Sequence, residues 1–385
     1  MDNIIDSQII AKLAKFIAPL GLGRNQLVVC DTNTWKAAGE QVFLALSDDY
    51  QCMRLHLEES VIPSIETAKR IMALASDMDA LVAVGSGTIH DLTKYAAAQV
   101  GKPYFVVATA ASMNGYAAKN ASLWEGAHKT TQAAVAPVFI MADTEILAEA
   151  PARLTASGFA DMLCRSTVQA DMFLSHKLLA TPYYEDAFNA VMPIEEALIP
   201  KAKKLTTGDS KTLKALMQGL ILGGEWMSKT GSSATASQGE HMIAHAIEMI
   251  YPKIAARSYH GELVAVATVS MAKIQQRMLS AKPQLRKTAT LENTQAVFGK
   301  KLADQLFNDY QTKAAVTQEK LESVWPEISA GIFGFMIPAE ILASALEHAG
   351  APTKPEHIGL TEDQYSYALE YAHWTRGRFT FLDLV

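Results

Sequence analysis

Three of the ten histidines in this 385-residue chain fall close together, at positions 241, 245 and 260. The run Gly239-Glu240-His241-Met242-Ile243-Ala244-His245-Ala246-Ile247-Glu248 is apolar and free of proline. A helix there places His241 and His245, four residues apart, on one face. Pro252 breaks that helix, and His260 stands just before Leu263-Val264-Ala265-Val266-Ala267, which reads as the next one. Neutral imidazole is a good ligand for zinc, nickel or iron, and a catalytic site of that kind needs three protein ligands and an open position. Spacing alone is also compatible with a hydrogen-bonded histidine pair in a core. It does exclude a zincin protease, which needs Glu directly after the first histidine, where Met242 stands.

A second chemistry is written at Gly85-Ser86-Gly87-Thr88-Ile89-His90-Asp91, directly after the buried run Ala80-Leu81-Val82-Ala83-Val84. Glycines between a strand and a helix let the backbone approach a pyrophosphate, with helix N–H groups and the helix dipole facing the charge. The full dinucleotide fingerprint is absent, because its third position is not glycine. Asp31 ends an earlier strand, where a carboxylate can accept hydrogen bonds from a ribose diol. A polar turn, Thr109-Ala110-Ala111-Ser112-Met113-Asn114-Gly115, follows the next strand. Ligands of parallel sheets gather beyond the carboxyl ends of the strands, so these three ends supply groups along one edge.

The elements that must position these residues change character along the chain. Strand-like apolar runs at 27–30, 52–57, 80–84, 104–108 and 138–141 alternate with helical patterns at 35–46, 62–76 and 88–100, after a short amphipathic helix at 8–18. That alternation indicates a parallel sheet covered on both faces. Beyond about residue 150 the segments are Ala- and Leu-rich, long and helically periodic, with no convincing strand. The expected fold class is therefore α/β plus all-α, with a Rossmann-like nucleotide domain over 1–150 and an all-helical domain over 151–385. A hydrophobic content of 49% with 19% charged residues is that of an ordinary soluble globular protein. A net charge of −6 offers no broad basic surface for nucleic acid or anionic membrane. No apolar run is long enough to span a bilayer, and the first residues carry no export signal. Cys30, Cys52 and Cys164 are scattered and odd in number, as suits reduced thiols. A cytoplasmic protein is expected.

Five motifs in order resemble one family: the Gly-Ser-Gly-x-x-x-Asp turn at 85–91, Thr-Ala-Ala-Ser-Met-Asn-Gly at 109–115, Ser157-Gly158-Phe159-Ala160-Asp161, Gly-Glu-His-x-x-x-His at 239–245, and His260-Gly261-Glu262. The resemblance is to sn-glycerol-1-phosphate dehydrogenase, of the superfamily shared by iron-containing alcohol dehydrogenases, glycerol dehydrogenase and dehydroquinate synthase. It runs from about residue 27 to the C-terminal Arg376-Gly377-Arg378-Phe379-Thr380-Phe381-Leu382-Asp383-Leu384. It implies reversible reduction of dihydroxyacetone phosphate to sn-glycerol 1-phosphate by NADH or NADPH, with one divalent metal: zinc first, nickel or iron as alternatives. Asp161, His241 and His260 would be the metal ligands, and Asp161, opening a helix, would also belong to the catalytic set. Gly85, Ser86 and the stretch Gly87, Thr88, Ile89, His90 and Asp91 would hold the pyrophosphate. Thr109 and Ser112 would face the nicotinamide and Asp31 the adenosine ribose. His245 would face the substrate and pass a proton, with an ordinary imidazole pKa. A homo-oligomer, dimer or larger, is implied as well.

The chain departs from the family pattern in two places. Asn114 stands where many members carry an Asp that contacts the substrate hydroxyls, so hydrogen bonding is kept and charge is lost. Ala118 replaces a cofactor-contacting Ser. Alternatives are a dehydrogenase of another polyol or alcohol, a dehydroquinate synthase-like lyase, and a catalytically silent NAD-binding protein. Asp31 favours NAD, because a carboxylate repels a 2′-phosphate. Lys119, Arg165 and Lys229 are candidates for holding a substrate phosphate.

Overall fold

Strands that are apolar at every position have no solvent face, and a sheet made of them must be covered on both sides. Strands β4 (Ala80–Gly85) and β5 (Tyr104–Ala108) are buried along their whole length. They lie at the centre of a six-stranded sheet completed by β1 (Asp2–Asp6), β2 (Asn25–Asp31), β3 (Gln51–Leu57) and β8 (Phe139–Asp143), in the order β1-β8-β5-β4-β2-β3. Every neighbouring pair is parallel. One face packs Val28, Cys30, Val82, Val84, Phe105, Val107 and Met141 against Leu13, Ile17, Val42 and Leu46. Each such fully buried large aliphatic or aromatic side chain contributes about 1.5–3 kcal/mol relative to exposure.

The computed structural model describes residues 2–59, 61–126, 128–287 and 289–385. The chain forms two units, one of Met1–Gly158 with Lys204–Ser232, the other of Phe159–Lys203 with Ser233–Val385. The sequence divides at 150/151 by composition; by contacts, the chain changes unit after residues 158, 203 and 232. The helix Ser210–Thr230, capped by Asp209 at its start and by left-handed Gly231 at its end, belongs with the sheet.

Two features of the first unit go beyond the sequence reading. Residues 2–6 form an edge strand against β8, although both ends are aspartate and only Ile5 is buried. A strand that short and polar gives no periodic signal, which is how exposed edges are kept from pairing further. An antiparallel hairpin of β6 (Asn120–Glu125) and β7 (His128–Ala133) follows the polar turn. In the second unit the described residues hold helices and one isolated bridge, Leu285 to Leu384. Its core gathers Val168, Leu174, Ile243, Ile247, Val264, Met271, Leu321, Ile332 and Phe381.

Candidate active site

In the first unit, the carboxyl ends of adjacent strands β2, β4 and β5 carry Asp31, Gly85 and Thr109. Gly85 sits where an added Cβ would lie 2.7 Å from Ile89 Cβ, so strand and helix pack closely only with glycine there. The helix Gly87–Val100 begins without a side-chain cap from Ser86, so its first N–H groups remain available to an anion. At Gly87 an added Cβ would meet only Met113 Sδ, at 3.6 Å. The space over Gly87 is therefore open, as a pyrophosphate cradle requires. Ser86, Gly87 and Thr88 are half-buried at this opening.

The rest of the 85–91 stretch supports the opening from beneath. Ile89 and His90 are buried, and the His90 ring hydrogen-bonds Tyr104 Oη at 3.1 Å and stacks on Tyr116. Burial holds its pKa well below the usual value. The helical turn points residues 89 and 90 into the core, so their side chains do not join the ligand-facing set expected from sequence. Asp91 accepts from Ser122 N of the hairpin at 3.0 Å and from Lys94 Nζ at 3.2 Å. Lys94, fully buried, also donates to Gly115 O at 2.8 Å and Asn120 O at 2.9 Å. Asp31 caps the following helical turn, accepting from Thr34 N at 2.7 Å.

The polar turn carrying Thr109, Ser112 and Asn114 is clamped by backbone contacts. Tyr116 Oη donates to Ala110 O at 2.6 Å, and Ser228 Oγ to Ala117 O at 2.6 Å. A Cβ on Gly158 would stand 2.0 Å from Ala111 O, and one on Gly224 would stand 2.7 Å from Asn114 O. Two helices thus reach the turn through glycine, and Ser157-Gly158 in the sequence motif has a steric meaning.

The second unit brings His241, His245 and His260 together. Ring centroids are 5.2 Å apart for His241 and His260, 5.6 Å for His245 and His260, and 6.4 Å for His241 and His245. His241 Nε2 lies 3.4 Å from Asp161 Oδ1. Asp161 does not open a helix; it occupies the last turn of Ala152–Leu163. A carboxylate there opposes the helix dipole by about 0.3–1 kcal/mol, an arrangement a bound cation would reverse.

Each imidazole is oriented by a glutamate. His241 Nδ1 is 2.8 Å from Glu240 Oε1, while His245 and His260 share Glu248, with Nδ1 to oxygen distances of 3.0 and 3.4 Å. Binding Nδ1 in this way leaves Nε2 of His241 and His260 to face a metal, as in carboxylate–histidine–metal triads. For His245 the same atom is taken: Arg376 Nη2 lies 2.8 Å from His245 Nε2. Guanidinium can only donate, so Nε2 accepts and Nδ1 carries the proton. Burial first, then the Arg376 charge, lowers the His245 pKa to about 3, against the expectation of an ordinary imidazole. Burial works in the same direction on His241, but hydrogen bonds and charges from Asp161 and Glu240 outweigh it and lift the pKa to about 9. Such concentrated negative charge suits a divalent cation.

Among the described residues, Cys164, Glu240 and His241 also place donor atoms within 4.8 Å of one another. Two of these are otherwise engaged. Burial raises the Cys164 thiol pKa far above its usual value, and its Sγ donates to Asp161 O at 3.3 Å. Glu240 accepts from Gln238 N at 2.7 Å as well as from His241. They surround the site better than they would ligate in it.

A family profile described as iron-containing alcohol dehydrogenase matches residues 4–151. A glycerol-1-phosphate dehydrogenase [NAD(P)+] from Bacillus velezensis is 31% identical over 373 residues, covering 93% of this chain and 84% of that protein. The chain belongs to the glycerol-1-phosphate dehydrogenase family. The family member from Pyrococcus horikoshii is 31% identical over 70% of this chain and 77% of its own length. The solved structure of a probable glycerol dehydrogenase from Sinorhizobium meliloti shares the fold, with a TM-score of 0.66 at 18% identity over 99% of this chain and 91% of that one.

Sequence reasoning missed Lys94 beneath the glycine turn of the first unit, and Glu248 and Arg376 beside the histidines of the second. Glu248, seven residues after His241, is the one with a readable signal, since it continues the histidine face. Gly87 supplies a test of the other locus. Gly87→Val should leave the melting temperature close to the parent's, because nothing but Met113 is near. NADH affinity should fall by at least about tenfold, roughly 1.4 kcal/mol. Fluorescence titration showing unchanged affinity would return this turn to a purely structural role.

Proposed function

We propose that the enzyme interconverts dihydroxyacetone phosphate and sn-glycerol 1-phosphate with NAD(H) or NADP(H), using a divalent metal held by Asp161, His241 and His260. The observation that carries this reading is the pair of imidazoles whose Nδ1 atoms are fixed by glutamates beside a buried aspartate, in a chain of this family. When bound, the ion supplies Lewis acidity toward a ketone oxygen. Glu240 holds the His241 ring in place. Glu248 does the same for His260 and His245. In the reduction, hydride passes from the nicotinamide to the ketone carbon and a proton to its oxygen. His245, neutral and spanning Arg376 and Glu248, is assigned the substrate-facing, proton-relaying position, a role that requires Arg376 to release Nε2 when substrate binds, because Nδ1–H is held by Glu248. Its engaged Nε2 supports keeping it out of the ligand set.

In the nucleotide unit, Ser86, Gly87 and Thr88 are assigned to the pyrophosphate, Thr109 and Ser112 to the nicotinamide side, and Asp31 to the ribose, favouring NAD. Asn114 is assigned to a substrate hydroxyl. Zinc is the first choice of metal. Free thiols at Cys30, Cys52 and Cys164 fit a reducing cytoplasm, and a homo-oligomer is proposed on the family resemblance. Among the described residues, no helix is long and apolar enough to cross a membrane.

The deciding experiment follows NADH oxidation with dihydroxyacetone phosphate, dihydroxyacetone and glyceraldehyde phosphate after zinc, nickel or iron is added back. Preference for dihydroxyacetone phosphate is expected; preference for an unphosphorylated ketone would replace the substrate. His245→Ala should retain metal yet lose about a hundredfold or more in turnover. Loss of the ion in that variant would move His245 among the ligands. Asn114→Leu should cost roughly 1–3 kcal/mol in kcat/KM by leaving a substrate hydroxyl unpaired. Parent-like kinetics on every ketone would place Asn114 outside the site.

A further inference from the structure

Among the described residues, three lysine or arginine side chains are almost wholly buried, and each has a carboxylate. Lys94 meets Asp91, Arg165 meets Glu195 at 2.5 Å, and Lys313 meets Asp383 at 2.8 Å. This engagement removes Arg165 from the candidates for a substrate phosphate. In the nucleotide unit, Lys229 lies exposed over the Trp226 ring, 4.0 Å from its centroid, and Lys119 is exposed.

Arg376 and Arg378 break the pattern. Both are partly buried, both converge on Ser237, and neither forms an ion pair among the described residues. Arg376 donates to Ser237 Oγ at 3.1 Å and to His245 Nε2 at 2.8 Å. Arg378 donates to Ser237 O and, at 2.9 Å, to Ser233 Oγ. All four acceptors are neutral. The backbone between the two arginines is fixed, because a Cβ on Gly377 would lie 2.4 Å from Asp309 O. Shielded like charges side by side are unfavourable unless an anion joins them. Burial first, then the neighbouring Arg376 charge, lower the Arg378 pKa to about 9, only partly offset by the Glu240 carboxylate.

We propose that Arg376 and Arg378 form the subsite that takes the phosphate ester of the substrate, next to the imidazole cluster. The inference rests on the ketone-phosphate reading above and deepens it. Guanidinium presents paired donors that match phosphate oxygens, and two such groups neutralise a dianion. The position also fits: Arg376 touches His245, whose ring adjoins His260. A triose phosphate separates its ketone carbon from phosphorus by only a methylene and an ester oxygen, so both ends can be held within one side chain's reach.

The test uses the metal-loaded full chain, the parent, Arg378→Gln and Arg378→Lys, with circular dichroism and metal content as controls. In the parent, inorganic phosphate should bind by calorimetry and compete with dihydroxyacetone phosphate. Arg378→Gln should lose phosphate binding and raise KM for dihydroxyacetone phosphate at least tenfold. Its kcat/KM preference for dihydroxyacetone phosphate over dihydroxyacetone should fall by a similar factor. Arg378→Lys, keeping the charge without the fork, should fall between. If Arg378→Gln fails to fold, the lysine variant decides by the same ratio. Unchanged phosphate affinity and unchanged ratio in a folded variant overturn the inference while the ketone-phosphate reading stands. A parent that shows no preference for the phosphorylated ketone overturns that reading instead, and calorimetry with phosphate then decides the arginines alone.

Discussion

His260→Ala should lose the bound ion and lower turnover by roughly a thousandfold or more, the worth of several kcal/mol of Lewis-acid stabilisation, with little loss of stability. His260 is the first residue of its helix, and that helix start is secured by Glu262, which accepts from Tyr259 N at 2.8 Å. Removing the imidazole leaves this cap untouched. His241→Ala should lose the ion as completely but also destabilise the protein, because the buried carboxylates of Asp161 and Glu240 then lose the group between them. Glu240→Gln should weaken metal affinity by about 10–100-fold, the usual effect of a group that orients a ligand. Elemental analysis of the purified variants, with thermal melts alongside, checks all three. Parent-like metal content in both histidine variants would discard the ligand assignment.

Gly158→Ala should destabilise the protein by at least about 3 kcal/mol, although alanine favours a helix over glycine by about 1 kcal/mol. The sign is set by the clash: the new Cβ would stand 2.0 Å from Ala111 O and 2.9 Å from Ser112 Cα, both backbone atoms that cannot rotate away. Roughly 6–12 °C in melting temperature is the expected reading for a domain of this size. Gly224→Ala, with Asn114 O at 2.7 Å and Ala117 N at 2.8 Å, should behave alike. A Gly158→Ala protein that melts with the parent would mean that helix and turn do not meet as described.

The fold and the two chemical loci are legible in sequence for a common physical reason. Buried parallel strands such as 80–84 are continuously apolar, and the 239–250 helix carries its histidines at the period of the helix itself. What escapes has no period. The edge strand Asp2–Asp6 is mostly polar, and Asp161 ends its helix where local preference would put a cation. The displacement of His90 into the core follows from helical rotation once the helix start is known at Gly87. The pKa of His245 depends on Arg376, 131 residues away, a contact that no local pattern announces. The composition shift near residue 150 reports helix content rather than contact, so it cannot tell that Ser210–Thr230 packs with the sheet.

That return of the chain has a consequence for how the protein is made. At ~5–20 residues per second, the stretch between Gly158 and Ser232 takes roughly 4–15 s to synthesise. The sheet can form in that interval, but Gly224 and Ser228 have yet to close on the turn that bears Asn114. The nascent first unit therefore waits with this turn unlatched until Gly224 and Ser228 reach it. Codon choice and translation speed between residues 159 and 232 should govern how much of this enzyme reaches its native state.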